Sequence, residues 1–212
     1  MATPIAAACQ GGYAFYDILS SGWAKGLGVG KFIHTGNESD LTVTDFLQAF
    51  GKDPEVKAIV MYIEALRDGK RFMEIAGQVT RTKPVVIYKA GRTVDSARAA
   101  HSHTGALAGQ WQVYTGLLRQ VGAVVSPAME LLLPIGHALI ERPPMRGRRV
   151  AIITVGRSWG VALTDSLSEA GLSVPKFSPG LQQELRSLGL PDPASAKNPL
   201  DPGPSAQFPA AH

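Results

Sequence analysis

The chain has 212 residues, enough for one large domain or two small ones, and its 45% hydrophobic and 18% charged content is that of a folded globular protein rather than a disordered one. The formal charge of +4 comes from scattered arginines and one local run, Arg142, Arg146, Arg148 and Arg149, without the interleaved aromatics that a nucleic-acid interface requires. The apolar stretch from Met129 to Ile140 is broken by Glu130, Pro134, Gly136 and His137 and so does not span a membrane, Met1 to Cys9 lacks the basic start of a secretory signal, and the single cysteine excludes an internal disulfide; the expected compartment is the cytoplasm.

Apolar runs alternate with longer amphipathic stretches, which predicts β-α units around a mostly parallel sheet. Ile5 to Cys9 leads through Gln10-Gly11-Gly12 into a helix over Tyr13 to Lys25. A strand over Gly28 to His34 follows, then a helix over Val43 to Ala49, a strand over Ala58 to Ile63 and a helix over Arg71 to Arg81. Val85 to Lys89 is Val- and Ile-rich without alternation, as expected of a strand covered on both faces. A helix over Gln110 to Val121, a short strand near Ala123 to Val125 and a helix over Ala128 to Ile140 complete the series. Pro143-Pro144-Met145-Arg146-Gly147 is stiff and turn-prone, and marks a boundary: residues 1–142 form a first domain, 143–148 a linker and 149–212 the start of a second. Beyond it the pattern restarts, with a strand over Arg149 to Val155, a turn over Gly156 to Gly160 and a helix over Val161 to Ala170 before a Pro-rich tail. One strand and two helices do not make a sheet, so the second domain is expected to be incomplete and its strand to pair elsewhere. The first strand begins almost at Met1, which predicts a shortened central strand. Trp23, Trp111 and Trp159 are expected to pack in the core.

Just beyond the Val85 strand, His101 and His103 lie in a glycine-bracketed loop, Ser102-His103-Thr104-Gly105-Ala106-Leu107-Ala108-Gly109. Open α/β sheets do chemistry at the carboxyl ends of their strands, yet two histidines on a loop are as readily just solvated. Gln10-Gly11-Gly12, ahead of a helix, offers free backbone N–H groups and the positive end of a dipole to an anion. Such a helix end contributes about 0.3–2 kcal/mol, well short of the cost of burying a phosphate, so a second set of donors is required. Lys89 and Arg92 at a strand end, and Asn37 after Gly36, are further candidates for neutralising or lining such a site. The histidines show no ligand spacing, and no metal site is assigned.

Lys83-Pro84-Val85-Val86 through Lys89-Ala90-Gly91-Arg92, followed by Ser102-His103-Thr104-Gly105, resembles the signature of the NDP-forming (ADP-forming) acyl-CoA synthetases, relatives of the succinyl-CoA synthetase α subunit. The likeness covers nearly the whole chain: Gly28-Val29-Gly30-Lys31-Phe32 with Gly36-Asn37, Tyr62-Ile63-Glu64 with Asp68-Gly69-Lys70, and Lys197-Asn198-Pro199-Leu200-Asp201. It implies tandem flavodoxin-like, three-layer α/β/α domains, the second incomplete here. It implies that acid, CoA and ATP are interconverted with acyl-CoA, ADP and phosphate through phospho-His103, with Glu64 orienting the ring and Gln10, Gly11, Gly12, Thr104 and Gly105 holding the phosphoryl group. ATP/ADP with Mg2+, and CoA, are implied cofactors. The implied partners are an ATP-grasp subunit or domain and a CoA-binding Rossmann domain, neither legible in these residues, and a homo- or hetero-oligomer; neither nucleic acid nor membrane is expected as a partner. Where the family reads Ser-Gln-Ser-Gly this chain has Cys9-Gln10-Gly11-Gly12, which removes hydroxyl donors, and Arg157 stands in the turn at the start of the second domain. The rival reading is a non-catalytic scaffold or regulatory module that keeps the synthetase fold; loss of the serines favours it, and retention of His103 with Glu64 opposes it.

Overall fold

Five apolar runs form parallel strands: β1 Ile5–Cys9, β2 Lys31–His34, β3 Ala58–Ile63, β4 Val85–Lys89 and β5 Val124–Val125. Their order in the sheet is β2-β1-β3-β4-β5, the flavodoxin-like winding. The computed structural model describes residues 3–93, 95–96, 111–142, 145–188 and 195–203. The chain divides into two units, Met1–Pro144, which holds this sheet, and Met145–His212.

Both faces of the sheet are covered, which is why its strands lack polar alternation. On one face Ala6, Ala8, Ile59, Met61 and Ile87 pack against α2 (Val43–Lys52), α3 (Gly69–Val79) and α4 (Trp111–Gln120) through Leu47, Phe72 and Leu118. On the other, Ile5, Ala7, Cys9, Val60 and Val86 meet Ile18 of α1 (Gly12–Trp23) and Leu132 and Leu133 of α5 (Leu132–Glu141). Strand β1 is not shortened: it pairs along Ile5–Cys9 with β2 on one side and β3 on the other, and it is the interior strand at which the winding reverses. Its start lies so close to the approach to β2 that a Cβ on Gly30 would stand 2.1 Å from the Thr3 carbonyl oxygen, so only glycine fits there.

Local signals set the helix limits. The Thr42 side chain accepts from the Asp45 amide while the Asp45 carboxylate accepts from the Thr42 amide at 2.8 Å, a reciprocal cap that opens α2. Buried Glu38, in the left-handed region at φ 56, adds a carboxylate oxygen 2.7 Å from the Val43 amide. Asp68 caps α3, which therefore begins at Gly69, earlier than the sequence pattern predicts. The expected helix over Ala128 to Ile140 is split into a 3-10 turn, Met129–Leu131, and α5, whose Pro134 lies in the first turn where no N–H is missed. Two expectations about tryptophan fail: Trp23 is 79% exposed on α1 and Trp159 is 67% exposed.

The second unit departs further. The expected strand over Arg149 to Val155 is reduced to isolated parallel bridges, Arg149 to Ser173 and Ile153 to Leu200. The expected turn over Gly156 to Gly160 is already helical: α6 (Arg157–Glu169) starts directly after Gly156. Helix α7 (Pro179–Ser187) follows, capped by the Ser178 side chain.

Asp45 joins two helices as well as capping one, since Arg71 of α3 reaches it at 2.5 Å. The guanidinium, followed by the Thr42 hydroxyl and amide, holds the Asp45 carboxyl well below the usual carboxylate range. Asp45→Ala is expected to cost about 1–2 kcal/mol at pH 7. Because the folded-state pKa is depressed from 3.8, this contribution is complete above that value and is lost as pH falls. In urea titrations the gap between wild type and variant should close as the pH is taken below 3.8.

Candidate active site

β1 and β3 are paired neighbours, but the helices that follow them, α1 and α3, turn to opposite faces of the sheet, and a crevice opens beyond the carboxyl ends of the two strands. The residues that fill it follow Cys9 and Ile63, namely Gln10-Gly11-Gly12 and Glu64. Gln10 is buried and joins the two strand ends: its Oε1 accepts from the Glu64 amide at 2.5 Å and the Ala65 amide at 3.1 Å, while Nε2 donates to the Ala65 carbonyl at 2.8 Å. Its own N–H continues the sheet by donating to the Tyr62 carbonyl, and its carbonyl accepts from His34 Nε2 at 3.1 Å. The main-chain N–H of Gln10 is therefore not free to meet an anion, contrary to the sequence expectation; the amides that lack intrahelical acceptors at this corner are those of the N-cap Gly11 and the first residues of α1.

Glu64 lies against that helix start. A Cβ on Gly11 would stand 3.0 Å from a Tyr62 ring carbon and 3.4 Å from Glu64 Oε1, so a residue without a side chain allows the helix end to close on the carboxylate. The Tyr62 hydroxyl donates to Glu64 Oε1 at 3.4 Å, and Glu64 Oε2 is buried with no hydrogen-bond partner among the described residues. A buried carboxylate oxygen without a donor is costly. Glu64 faces two hollows. One is a small recess against Gln10, Gly36 and Asn37; the other is an open cleft of about 600 Å³ bordered by Tyr62, Tyr88, Arg92 and Met129.

The candidate cations are differently engaged from the sequence expectation. Lys89, expected at an accessible strand end, is fully buried; its ammonium donates to the Ala90 carbonyl and lies 4.5 Å from the centroid of the Tyr114 ring. Burial pulls its pKa down to about 8, against an opposing pull from the charge of Glu64. Arg92 emerges after Gly91, whose φ of 77 calls for glycine. Its terminal nitrogens donate to the Ser126 and Pro127 carbonyls at 2.7 and 2.6 Å, and its guanidinium lies over the rings of Tyr88 and Trp111. Asn37 contributes its carbonyl to Arg67 at 2.7 Å and borders the small recess.

His103, Thr104 and Gly105 lie outside the described residues. Among the described residues no group of three or more His, Cys, Asp or Glu is placed to hold a metal ion. Cys9 is buried and its thiol is pushed up to about 12, which keeps it inert. Sequence reasoning missed His34, beside the start of α1, and the tyrosines 62, 88 and 114; the pattern Tyr62-Ile63-Glu64, with the hydroxyl and carboxylate two residues apart on one side of the strand end, was the available signal.

The family described as succinyl-CoA ligase-like flavodoxin domain matches residues 2–139. Among similar proteins, the α subunit of ADP-forming acetate–CoA ligase II from Pyrococcus furiosus is 40% identical over 175 residues, which is 82% of this chain and 38% of that protein. The ADP-forming 4-hydroxybutyrate–CoA ligase of Nitrosopumilus maritimus is 30% identical, over 98% of this chain and 30% of its own length. A solved structure of a dinucleotide-forming acetyl-coenzyme A synthetase 1 from Candidatus Korarchaeum cryptofilum, in complex with phosphate and ADP, superposes with a TM-score of 0.84 at 31% identity, covering 94% of this chain and 43% of that one. The chain thus spans less than half the length of these relatives.

Burial of Lys89 makes a pH-dependent contribution with a definite sign. The depressed pKa means that the unfolded chain binds the additional proton between about pH 8 and 10.5, so the cost of the buried charge is full below 8 and vanishes as pH rises past 10.5. Lys89→Met, which removes the charge, should show its greatest stability relative to wild type below pH 8, and urea titrations should find that advantage shrinking as the pH is raised toward 10.5.

Proposed function

Since the chain belongs to the family of succinyl-CoA ligase-like flavodoxin domains, we propose that it is the phosphoryl-carrying part of an NDP-forming acyl-CoA synthetase. The observation that carries this reading is the buried, unpartnered Oε2 of Glu64 at the switch-point crevice, beside the open end of α1. His103 takes the phosphoryl group. One ring nitrogen is the nucleophile, and the N–H on the other donates to Glu64 Oε2, which fixes the tautomer. The Tyr62 hydroxyl and the Gln10 clamp hold that carboxylate in place.

The reaction sequence balances in three steps. Acyl-CoA and phosphate give acyl phosphate and CoA. The acyl phosphate passes its phosphoryl group to His103 and releases the free acid, and phospho-His103 then passes it to ADP, giving ATP. The amides of Gly11 and Gly12, with Thr104 and Gly105, cradle the group. One helix end is insufficient for that charge. The second donor set comes from outside the Met1–Pro144 unit. ATP or ADP with Mg2+, and CoA, are held by ATP-grasp and CoA-binding Rossmann domains other than the residues described, and Mg2+ supplies charge neutralisation on the nucleotide phosphates. The printed names of similar proteins, ADP-forming acetate and 4-hydroxybutyrate–CoA ligases, support an acyl-CoA reaction and leave the acyl group to be assigned. A cytoplasmic location fits these substrates.

The second unit belongs to the same scheme as the opening of a second flavodoxin-like domain. Supporting this are α6 opening directly after Gly156, as α1 opens after Gly11, and the exposure of the apolar residues Ile153, Trp159 and Val161.

The full chain, incubated with Mg-ATP in a lysate of its source organism, should acquire acid-labile phosphate at His103 by mass spectrometry, absent in His103→Ala. Glu64→Gln should lower the labelling by about a hundredfold or more. A folded chain with no phosphate would turn the assignment to the scaffold reading, which the engaged amide of Gln10 favours.

A further inference from the structure

Two ties run from the first turn of α4 to the turn that carries Glu64. In the first, the Tyr114 hydroxyl accepts from the Leu66 amide at 3.1 Å, two residues beyond Glu64. The buried Lys89 ammonium lies against the Tyr114 ring and fixes its plane. The second is a column of flat groups. Tyr62, whose hydroxyl meets Glu64, stacks on Tyr88 with centroids 5.8 Å apart and planes 15° apart. The Arg92 guanidinium lies 4.5 Å from the Tyr88 ring centroid and 4.8 Å from that of Trp111, the first residue of α4. Both terminal nitrogens of Arg92 are anchored on backbone carbonyls after β5, and its Nε is buried without a hydrogen-bond partner among the described residues. The guanidinium thus touches two rings and is tied to two carbonyls at once.

Arg92 and Trp111 are the two stems of the connection that contains His103, and Tyr114 is one turn further along α4. We propose that Arg92, Trp111 and Tyr114 are positioning residues, which register the return of that connection against Glu64 and so decide how His103 meets its carboxylate. The inference rests on the phosphohistidine reading above. Its physical basis is that a misplacement of about 1 Å between reacting groups costs up to about a hundredfold in rate, whereas closing a connection loosely or tightly differs little in stability. Cation–π contacts that are partly desolvated, with a guanidinium also held by two carbonyls, are stiff enough for this.

The test is chemical phosphorylation of the full chain by phosphoramidate, a donor that needs no partner subunit. Labelling is resolved by site, with the exposed His34 as internal reference. In wild type His103 should label faster than His34, and Glu64→Gln should abolish the difference. Tyr114→Phe keeps the ring over Lys89 and removes only the acceptor of the Leu66 amide. It should slow His103 relative to His34 by about tenfold, with faster hydrogen exchange at Leu66 and little change in Tm. Arg92→Lys should behave alike, and Trp111→Phe should recover most of the rate lost in Trp111→Leu. Wild-type labelling ratios in Tyr114→Phe and Arg92→Lys, or losses that follow Tm and are not recovered by Trp111→Phe, overturn the positioning role alone. Failure of wild-type His103 to label ahead of His34 overturns the phosphohistidine reading and the positioning role together.

Discussion

Where the connections after two adjacent parallel strands turn to opposite faces of the sheet, the backbone groups beyond the strand ends lose their neighbours, and these groups are too buried to be left to water. In this chain one side-chain carboxamide resolves the problem. Gln10 accepts from two successive amides and donates to one carbonyl in the turn after β3, while its own main chain continues the ladder with Tyr62. Three hydrogen bonds from one planar group leave that turn little freedom to move. Glu64 is held at its backbone by the same group that ends β1, so the carboxylate and the opening of α1 share one anchor. A serine or alanine at position 10 would keep the chain path and lose that coupling.

The second constraint is electrostatic. A fully buried ammonium is unfavourable unless something compensates its desolvation. Lys89 has a single carbonyl and a tyrosine ring in contact, and its lowered pKa is the measure of incomplete compensation. Glu64 lies near enough to pull that pKa back up, which offsets part of the desolvation.

The legible part of this architecture is the part that depends on local pattern. Strands β1, β3 and β4 are readable because their apolar runs are covered on both faces, and α2 is readable from its apolar spacing. Glu64 and Gly11-Gly12 stand out as candidates from their place at strand ends, Glu64 with the help of the family resemblance, whereas Tyr62 does not. What pattern cannot supply is the direction of a long side chain. Gln10 looks like a cradle residue but turns inward to the β3 turn, and Lys89 looks like a solvent-facing strand end but lies beneath α4. Arg92 reads as a candidate for neutralising phosphate because it is cationic and near a strand end; its contacts with Tyr88, Trp111 and the Ser126 and Pro127 carbonyls are not legible from that. Trp23 and Trp159 fail for a related reason, since apolar character is consistent with a core position but does not require one.

The second unit repeats the first unit's solution under harder conditions. Val150 to Val155 has the composition of a strand, but a strand needs neighbours on its hydrogen-bonding edges, and only single bridges to Ser173 and Leu200 are present among the described residues. The Asn198 carboxamide takes the place of a missing neighbour: its Oδ1 accepts from the Ile152 amide at 2.9 Å, and its Nδ2 donates to the Val150 and Pro175 carbonyls, each at 2.9 Å. Asp201 acts similarly at the next turn, accepting from the Gly156 and Gly203 amides at 3.4 and 3.0 Å. These side chains satisfy the backbone but cover no apolar face, which leaves Ile153 72% exposed. Hydrogen bonding and apolar burial, which a complete sheet satisfies together, are here separated: side chains meet the first, and the second is unmet at Ile153.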